Sequence, residues 1–261
     1  MESVVAYASA SADDAPPPAY LVVPPSRRLV QRVFDLTVVL LGAVVWIPVM
    51  VVAAVMIKLD SSGPVFFKQT RVGLHRKPFE IWKFRKMRDD LVTNGPMLTM
   101  RYDSRMTRVG RILERTKLDE LPQVLNVLAG TMSIVGPRPD VPRFVEHHPV
   151  LWNRVLSVKP GIFGASQNHF RNESELYPPD ATDIEGYYIE HILPEMLRLD
   201  GEYAERATVR RDVALLVGGV IRSVFGSITL VARLRRSALR ALVSRLSLYP
   251  ATLCLMRYSP N

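Results

Sequence analysis

The sequence predicts an α+β protein, mainly helical, in which a membrane element precedes a compact domain. Three observations carry this reading. Residues 36–57 contain no charged side chain, and Asp35 and Lys58 bracket them. Residues 65–67 and 79–84 are rich in aromatic and β-branched side chains, and with Gly73 between them they read as a short β-hairpin. Beyond Val109 the apolar residues fall at helical spacing. At 261 residues and 48% hydrophobic content, the chain can build one sizeable core with attachments.

Residues 1–26 are rich in Ala, Ser and Pro, a composition that buries little and predicts a flexible segment. The charged-then-apolar order of a secretory signal is missing there. Residues 27–58 are the membrane element, because about 20 apolar residues suffice to cross a bilayer core as a helix. Pro48 lies near the middle of the run, where it removes a backbone donor and kinks or breaks a helix. Arg27, Arg28 and Arg32 come before it, and Lys58, Lys68 and Arg71 after it. Positive charge on both flanks gives no asymmetry to orient a crossing. On these residues alone, a kinked transmembrane helix and a helix-break-helix returning to the same face are equally supported.

Residues 59–212 form the compact domain. It opens on the turn Asp60-Ser61-Ser62-Gly63-Pro64 and continues into the hairpin. Residues 86–110 read as irregular, with a turn at Asn94-Gly95-Pro96. A helix follows, with Leu118, Leu121, Leu125 and Leu128 on one apolar stripe and Gly130 as its stop. Gly136-Pro137-Arg138-Pro139 is a loop stiffened by its prolines. Residues 141–212 mix short helices with loops. In residues 213–261 arginines interleave with apolar residues and no acid appears, the pattern of an amphipathic segment lying on an anionic membrane surface.

A net charge of +9 points to anionic partners. Nucleic acid is the weakest of these, since no recognition motif with interleaved aromatics accompanies the charge. The single cysteine, Cys254, allows no internal disulfide. His147 and His148 are adjacent rather than at zinc-binding spacing. Neither a phosphate-binding G-x-x-x-x-G-K-[ST] loop nor a dinucleotide-binding glycine pattern is present.

Asp119-Glu120 is the candidate chemical centre. Pro122 favours the first turn of a helix, where the dipole stabilises negative charge. Neighbouring helical residues point about 100° apart, so two adjacent acids can hold different roles. Taken alone, the pair reads as capping acids. Its cationic company changes that reading: Lys83 and Arg85 close the second strand, Arg108, Arg111 and Arg115 precede the acids, and Arg138 sits in the proline loop. Arginine grips phosphate bidentately, and several converging on one place describe a diphosphate cradle.

Six blocks in order complete the picture. They are Ile57 to Phe67, Lys83-Phe84-Arg85-Lys86-Met87, Asp103 to Gly110, Thr116 to Gln123, Met132 to Pro139, and Pro160-Gly161-Ile162. Together they resemble the small monotopic phosphoglycosyl transferases, also called bacterial sugar transferases, from about Arg32 to Phe225. The resemblance implies that Asp119 attacks the sugar-bearing phosphate of a UDP-sugar and expels UMP, and that polyprenyl phosphate then accepts the sugar phosphate. Glu120 is implied as the ligand of Mg2+. Arg138 with Pro137 and Pro139, supported by Lys83, Arg85 and Arg115, is implied to bind the nucleotide or phosphates. It also implies a re-entrant helix broken at Pro48, and a catalytic domain on the cytoplasmic face of the bacterial inner membrane. Exopolysaccharide or glycoconjugate assembly would be the setting, and a homo-oligomer stays open. Lys86, Lys117 and Thr131 stand where the family commonly has Thr, Ser and Asp. The run Ile162-Phe163-Gly164-Ala165-Ser166-Gln167 also departs from the common form, in a region that shapes a sugar pocket. The competing class is a non-catalytic membrane adaptor, which would work with both acids replaced.

Overall fold

The computed structural model describes residues 20–21, 23–88, 103–170, 176–178 and 183–223. The turn expected at residues 94–96, Cys254 and the arginines from 233 onward lie outside the described residues. Helix α1 (Pro25–Asp60) is 36 residues long, about 54 Å if straight. It starts with Pro25 at a first-turn position, where a missing N–H costs nothing. It is long and apolar enough to cross a bilayer by length and composition, and only 11% of its most apolar stretch is buried. Leu41 is 76% exposed and Val44 83%.

The break expected at Pro48 does not interrupt the helix, which continues through that residue with helical backbone on both sides. A proline removes one backbone donor, and the turns on either side keep the helix continuous here. Trp46 Nε1 donates to Val39 O at 2.9 Å.

Both ends of α1 are fastened to the domain. At the first end, Asp35 is buried and accepts from Ser133 Oγ at 2.8 Å and Ile134 N at 2.9 Å. Arg32 Nη2 donates to Leu128 O at 2.9 Å. At the second end, Ala53 and Ile57 pack in one cluster with Phe84 and Leu113. Asp60 Oδ2 accepts from Val109 N at 2.8 Å. The chain just before α1 is also held: Leu21 N donates to Ser157 Oγ at 2.8 Å and Val23 is buried. The expected flexibility of residues 1–26 therefore does not extend to these positions.

Strands β1 (Phe66–Val72) and β2 (Pro78–Phe84) form the anticipated hairpin, antiparallel, with Phe66 opposite Phe84 and Val72 opposite Pro78. The single helix expected after Val109 is instead three pieces: α2 (Arg108–Thr116), a 3-10 turn (Leu118–Gln123) and α3 (Val124–Ala129). The break falls at Lys117, which takes a left-handed conformation at φ 61°. Leu118 and Leu121 pack against the Phe84 cluster, but Leu128 is 37% exposed. Val124 and Val127 are the residues that enter the core. Gly130, at φ 81°, ends α3 as expected.

The second half holds α4 (Pro142–Val145), α5 (Pro149–Val155), α6 (Ala165–His169) and α7 (Ile184–Tyr187). A π turn (Tyr188–Ile192) then leads into α8 (Leu193–Arg206). Strands β3 (Ser133–Val135) and β4 (Gly161–Phe163) pair in parallel, a contact between distant segments that local pattern could not announce. Residues 209–223 form α9, which exposes Val209, Val213, Val217, Val220 and Ile221 beside Arg210, Arg211 and Arg222. The basic amphipathic character expected from residue 213 thus begins at 209.

Replacing Asp35 with Ala strands two buried donors, Ser133 Oγ and Ile134 N. The expected loss is about 1–3 kcal/mol for each buried group left unpaired, read as a lowered midpoint in thermal denaturation of the detergent-solubilised chain.

Candidate active site

The hairpin sets the first wall. Residues 69, 71, 81 and 83 share one of its faces, because successive side chains on a strand alternate and Gln69 lies opposite Ile81. Asn126 clamps β2 to α3, accepting from Trp82 N at 3.0 Å and donating to Glu80 O at 2.7 Å. That clamp brings Lys83 against the 3-10 turn, where Asp119 and Glu120 occupy the first turn. Lys83 Nζ lies 2.9 Å from Glu120 Oε1, and Arg138 Nη1 lies 3.8 Å from the same oxygen. Arg71, Ile81, Lys83, Glu120, Gln123, Arg138, Pro139 and Gln167 line a cleft of about 230 Å³.

The two acids sit in different electrostatic situations. Burial would raise the Glu120 carboxyl, but Lys83, Arg138 and Lys117 together hold it well below the usual range. Asp119 is pushed up, first by burial and then by its neighbour Glu120, against the pull of Lys86 and Lys83. Glu120 is thus kept ionised by these cations rather than by the helix dipole expected from sequence, while desolvation dominates at Asp119. Lys86 bonds Glu114 Oε1 at 2.9 Å. Burial would lower its ammonium, but Asp119 and Glu114 outweigh this and hold it above its ordinary value.

Among the described residues, four buried side-chain polar atoms have no hydrogen-bond partner: Arg71 Nε, Arg85 Nε, Asp119 Oδ1 and Gln167 Oε1. Arg71 and Gln167 line the cleft, and Asp119 adjoins it through Glu120. Native structures leave few such atoms, and their gathering at one place marks a site built for something not yet bound.

Not every residue expected at the site is there. Arg85 is buried and donates through Nη2 to Ser61 O at 3.0 Å and through Nη1 to Ser62 O, so it binds the chain leaving α1. Arg115, with Arg108 and Arg111, is exposed on α2 and does not line the cleft. Pro137 is fully buried behind the loop, whereas Pro139 lines the cleft. Pro48 lies within α1.

Other residues enter unannounced. Arg71, read from sequence only as a flanking charge, is held by Asp140 at 3.1 Å and by Gln69 Oε1 at 2.7 Å. Strand alternation with Lys83 was the signal that would have found it. Asp200 on α8 accepts from Arg138 N at 3.0 Å, Ser166 N at 3.0 Å and Ser166 Oγ at 2.7 Å. Burial pushes its carboxyl up to about 6 despite those donors. No local motif announces a carboxylate that fastens the proline loop to α6.

The family model described as bacterial sugar transferase matches residues 26–226. The chain belongs to that family. The chain is 43% identical over 155 residues to a UDP-glucose:undecaprenyl-phosphate glucose-1-phosphate transferase of Escherichia coli (strain K12), covering 57% of this chain and 33% of the relative. It is 50% identical over 111 residues to the exopolysaccharide production protein PSS of Rhizobium leguminosarum bv. phaseoli, covering 42% and 56%. It is 38% identical over 151 residues to a UDP-N-acetylgalactosamine-undecaprenyl-phosphate N-acetylgalactosaminephosphotransferase of Aeromonas hydrophila, covering 56% and 36%. The chain thus spans about a third of the length of the first of these relatives.

The raised Asp119 pKa has a consequence for stability. A carboxyl that holds its proton more tightly when folded contributes stability fully present below the unfolded pKa, and this is lost as pH rises through the folded value. Asp119→Asn removes that loss. The variant should melt a few degrees above wild type at pH 7.5, with the gap closing on acidification toward pH 4, as followed by thermal denaturation across pH.

Proposed function

We propose that this chain transfers a sugar 1-phosphate from a UDP-sugar to polyprenyl phosphate, releasing UMP through a sugar-phosphoryl intermediate on Asp119. The observation that carries the reading is Asp119 Oδ1, a buried acceptor without a donor, beside an acid held ionised by cations. Related transferases whose names specify UDP-sugars and undecaprenyl phosphate support the substrate class. Those names include both glucose and N-acetylgalactosamine, so the family reading does not choose the sugar.

In the first half-reaction an Asp119 oxygen forms a bond to the sugar-bearing phosphorus. The bond from that phosphorus to the bridging oxygen breaks, and UMP leaves with the electron pair. In the second, a phosphate oxygen of the polyprenyl acceptor bonds the same phosphorus and the aspartyl oxygen departs as carboxylate. Arg138, Lys83 and Arg71 converge on the cleft and stabilise the charge spread over the transferring group, as preorganised cations do in phosphoryl transfer.

Mg2+ fits the donor set. Asp119 Oδ1 is an orphaned hard oxygen, and Glu120 beside it stays ionised. Among the described residues no group of three His, Cys, Asp or Glu side chains gathers to hold a metal. That suits an ion which takes one or two carboxylates and completes its shell with water and substrate phosphates. Glu120 would hold it with Asp119 alongside, and bound Mg2+ supplies charge neutralisation on the diphosphate.

The membrane reading follows from α1. The docking of both ends of α1 on one domain supports a helix that keeps both ends on the same face and dips into one leaflet rather than crossing. The exposed apolar stripe of α9 with its arginines would rest on that face, the cytoplasmic side of the inner membrane.

Two measurements decide these points. A UMP-release assay with polyprenyl phosphate, Mg2+ and a panel of UDP-sugars should give turnover that drops by about 10³-fold or more in Asp119→Asn. Radiolabelled sugar phosphate should stay on wild type only, and near-normal turnover by the variant would remove Asp119 as nucleophile. For topology, tags at both chain ends should be labelled only from the cytoplasmic side. A first tag reached only from outside would replace re-entry with a crossing.

A further inference from the structure

We propose that Gln167 is a specificity-determining residue whose side-chain oxygen accepts a hydrogen bond from a neutral N–H or O–H donor of the nucleotide-sugar. The inference rests on the UDP-sugar reading above and concerns a residue to which that reading gives no part.

Three features of the side chain define it. Its Nε2 donates to Gly161 O at 3.1 Å and Ile162 O at 3.4 Å, both on β4. Two carbonyl oxygens facing one end of the amide settle which end carries the nitrogen, because the flipped amide would set oxygen against oxygen. The other end, Oε1, is therefore an acceptor, and it is buried without a donor. Finally, Gln167 lines the cleft together with Arg71, Lys83, Glu120 and Arg138.

The oxygen is positioned by packing. A Cβ added at Gly164 would lie 2.0 Å from Gln167 Oε1 and 2.5 Å from Gly136 O. Gly164 has φ −141°, an extended conformation open to any residue, so space alone excludes a side chain there. The helix that carries Gln167 is itself tied down by Asp200, which accepts from Ser166 N at 3.0 Å while also holding Arg138 N at 3.0 Å. The acceptor and the phosphate-binding arginine are thereby fixed to one carboxylate. With phosphates on the cations, a neutral part of the same molecule would share the cleft that Gln167 also lines.

Every other polar group named as lining the cleft is a cation, an anion or Gln123. Of the two neutral amides in the cleft, Gln167 carries the buried oxygen without a donor. Such an acceptor is suited to read a hydroxyl or an imide N–H, and two parts of a UDP-sugar offer these: the sugar hydroxyls or amide, and the uracil N3–H. An analogue lacking the right donor leaves Oε1 unpaired in the complex, a penalty on the order of 10–100-fold.

The test compares kcat/KM for UMP release from the parent UDP-sugar, its N3-methyluracil form and its single-deoxy sugar forms, in wild type and in Gln167→Met. Methionine keeps approximate volume and removes the acceptor. Each penalty is a ratio within one protein preparation, so loss of folded fraction cancels. One penalty should collapse toward unity in the variant while the rest persist. A collapsed N3-methyl penalty assigns uracil, and a collapsed deoxy penalty assigns that hydroxyl. If every penalty survives in Gln167→Met, the proposal is wrong. If wild type releases UMP from no UDP-sugar, the underlying reading fails and this one with it. Should Gln167→Met turn over too slowly, the same ratios are read as Kd values in an Asp119→Asn background, where collapse or persistence decides identically.

Discussion

Two adjacent carboxylates in one site, Asp119 buried and Glu120 half-buried, impose the condition that the surrounding fold satisfies. A buried charge without a partner is among the costliest features a protein can carry. Here the partners come from separate stretches of chain: Lys83 from β2, Lys86 just beyond it, Arg138 from the proline loop and Arg71 from β1. They do not serve both acids alike. Glu120 receives a direct ion pair from Lys83, while Asp119 Oδ1 receives no donor at all. One environment therefore splits neighbouring residues of the same chemistry into a firmly ionised acid and a desolvated one. Such a split is how paired carboxylates take on separate roles.

The supports behind the cations are themselves buried polar groups. Asn126 ties β2 to α3 and so helps to hold Lys83 over Glu120, together with the packing of Leu118 and Leu121 on the Phe84 cluster. Asp140 holds Arg71 and in turn accepts from Tyr188 Oη at 2.7 Å, so the π turn reaches the cleft through two side chains. A π turn interrupting a helix is common near functional sites because it re-aims one residue. Asp200 does for the proline loop what Asp140 does for β1. These contacts join residues far apart in sequence, so a change in any one would loosen a cation without touching it.

That distribution explains what could be read in advance. The hairpin, the apolar helix, the Asp119-Glu120 pair and the proline loop were legible because each is a local pattern: alternation, an uncharged run, a dipeptide, two prolines. The resemblance of ordered blocks then gave the family. Arg85 shows where block reading stops. It stands two residues from Lys83 in the same block, yet Lys83 meets Glu120 and Arg85 meets the carbonyls of Ser61 and Ser62. Nothing local separates them, since the difference lies in what each finds across the fold. The same holds for the break at Lys117, the β3–β4 pair, and the polar partners Asp35, Asp140 and Asp200. Helical spacing across residues 118–128 also misplaced the stripe, because a 3-10 turn changes which side chains share a face.

The position of Arg85 bears on how the proposed donor, a nucleotide-sugar, and the proposed lipid acceptor would meet. Its guanidinium caps the carbonyls where α1 ends, and Asp60 in the last turn of that helix holds the start of α2. At the other end Asp35 is bonded to Ser133 and Ile134, four residues before Arg138. The helix is thus tied at one end to the strand bearing Lys83 and at the other to the segment leading into the proline loop. With both ends clamped, α1 cannot tilt on its own without moving the walls of the cleft. The apolar middle of α1 would set how deep the domain rides in a bilayer, and the depth of the cleft follows rigidly. On the proposed reaction, the phosphate of a polyprenyl acceptor would stay near the headgroup level, and a cleft held at that depth would present Asp119 to it without a separate lipid-lifting motion.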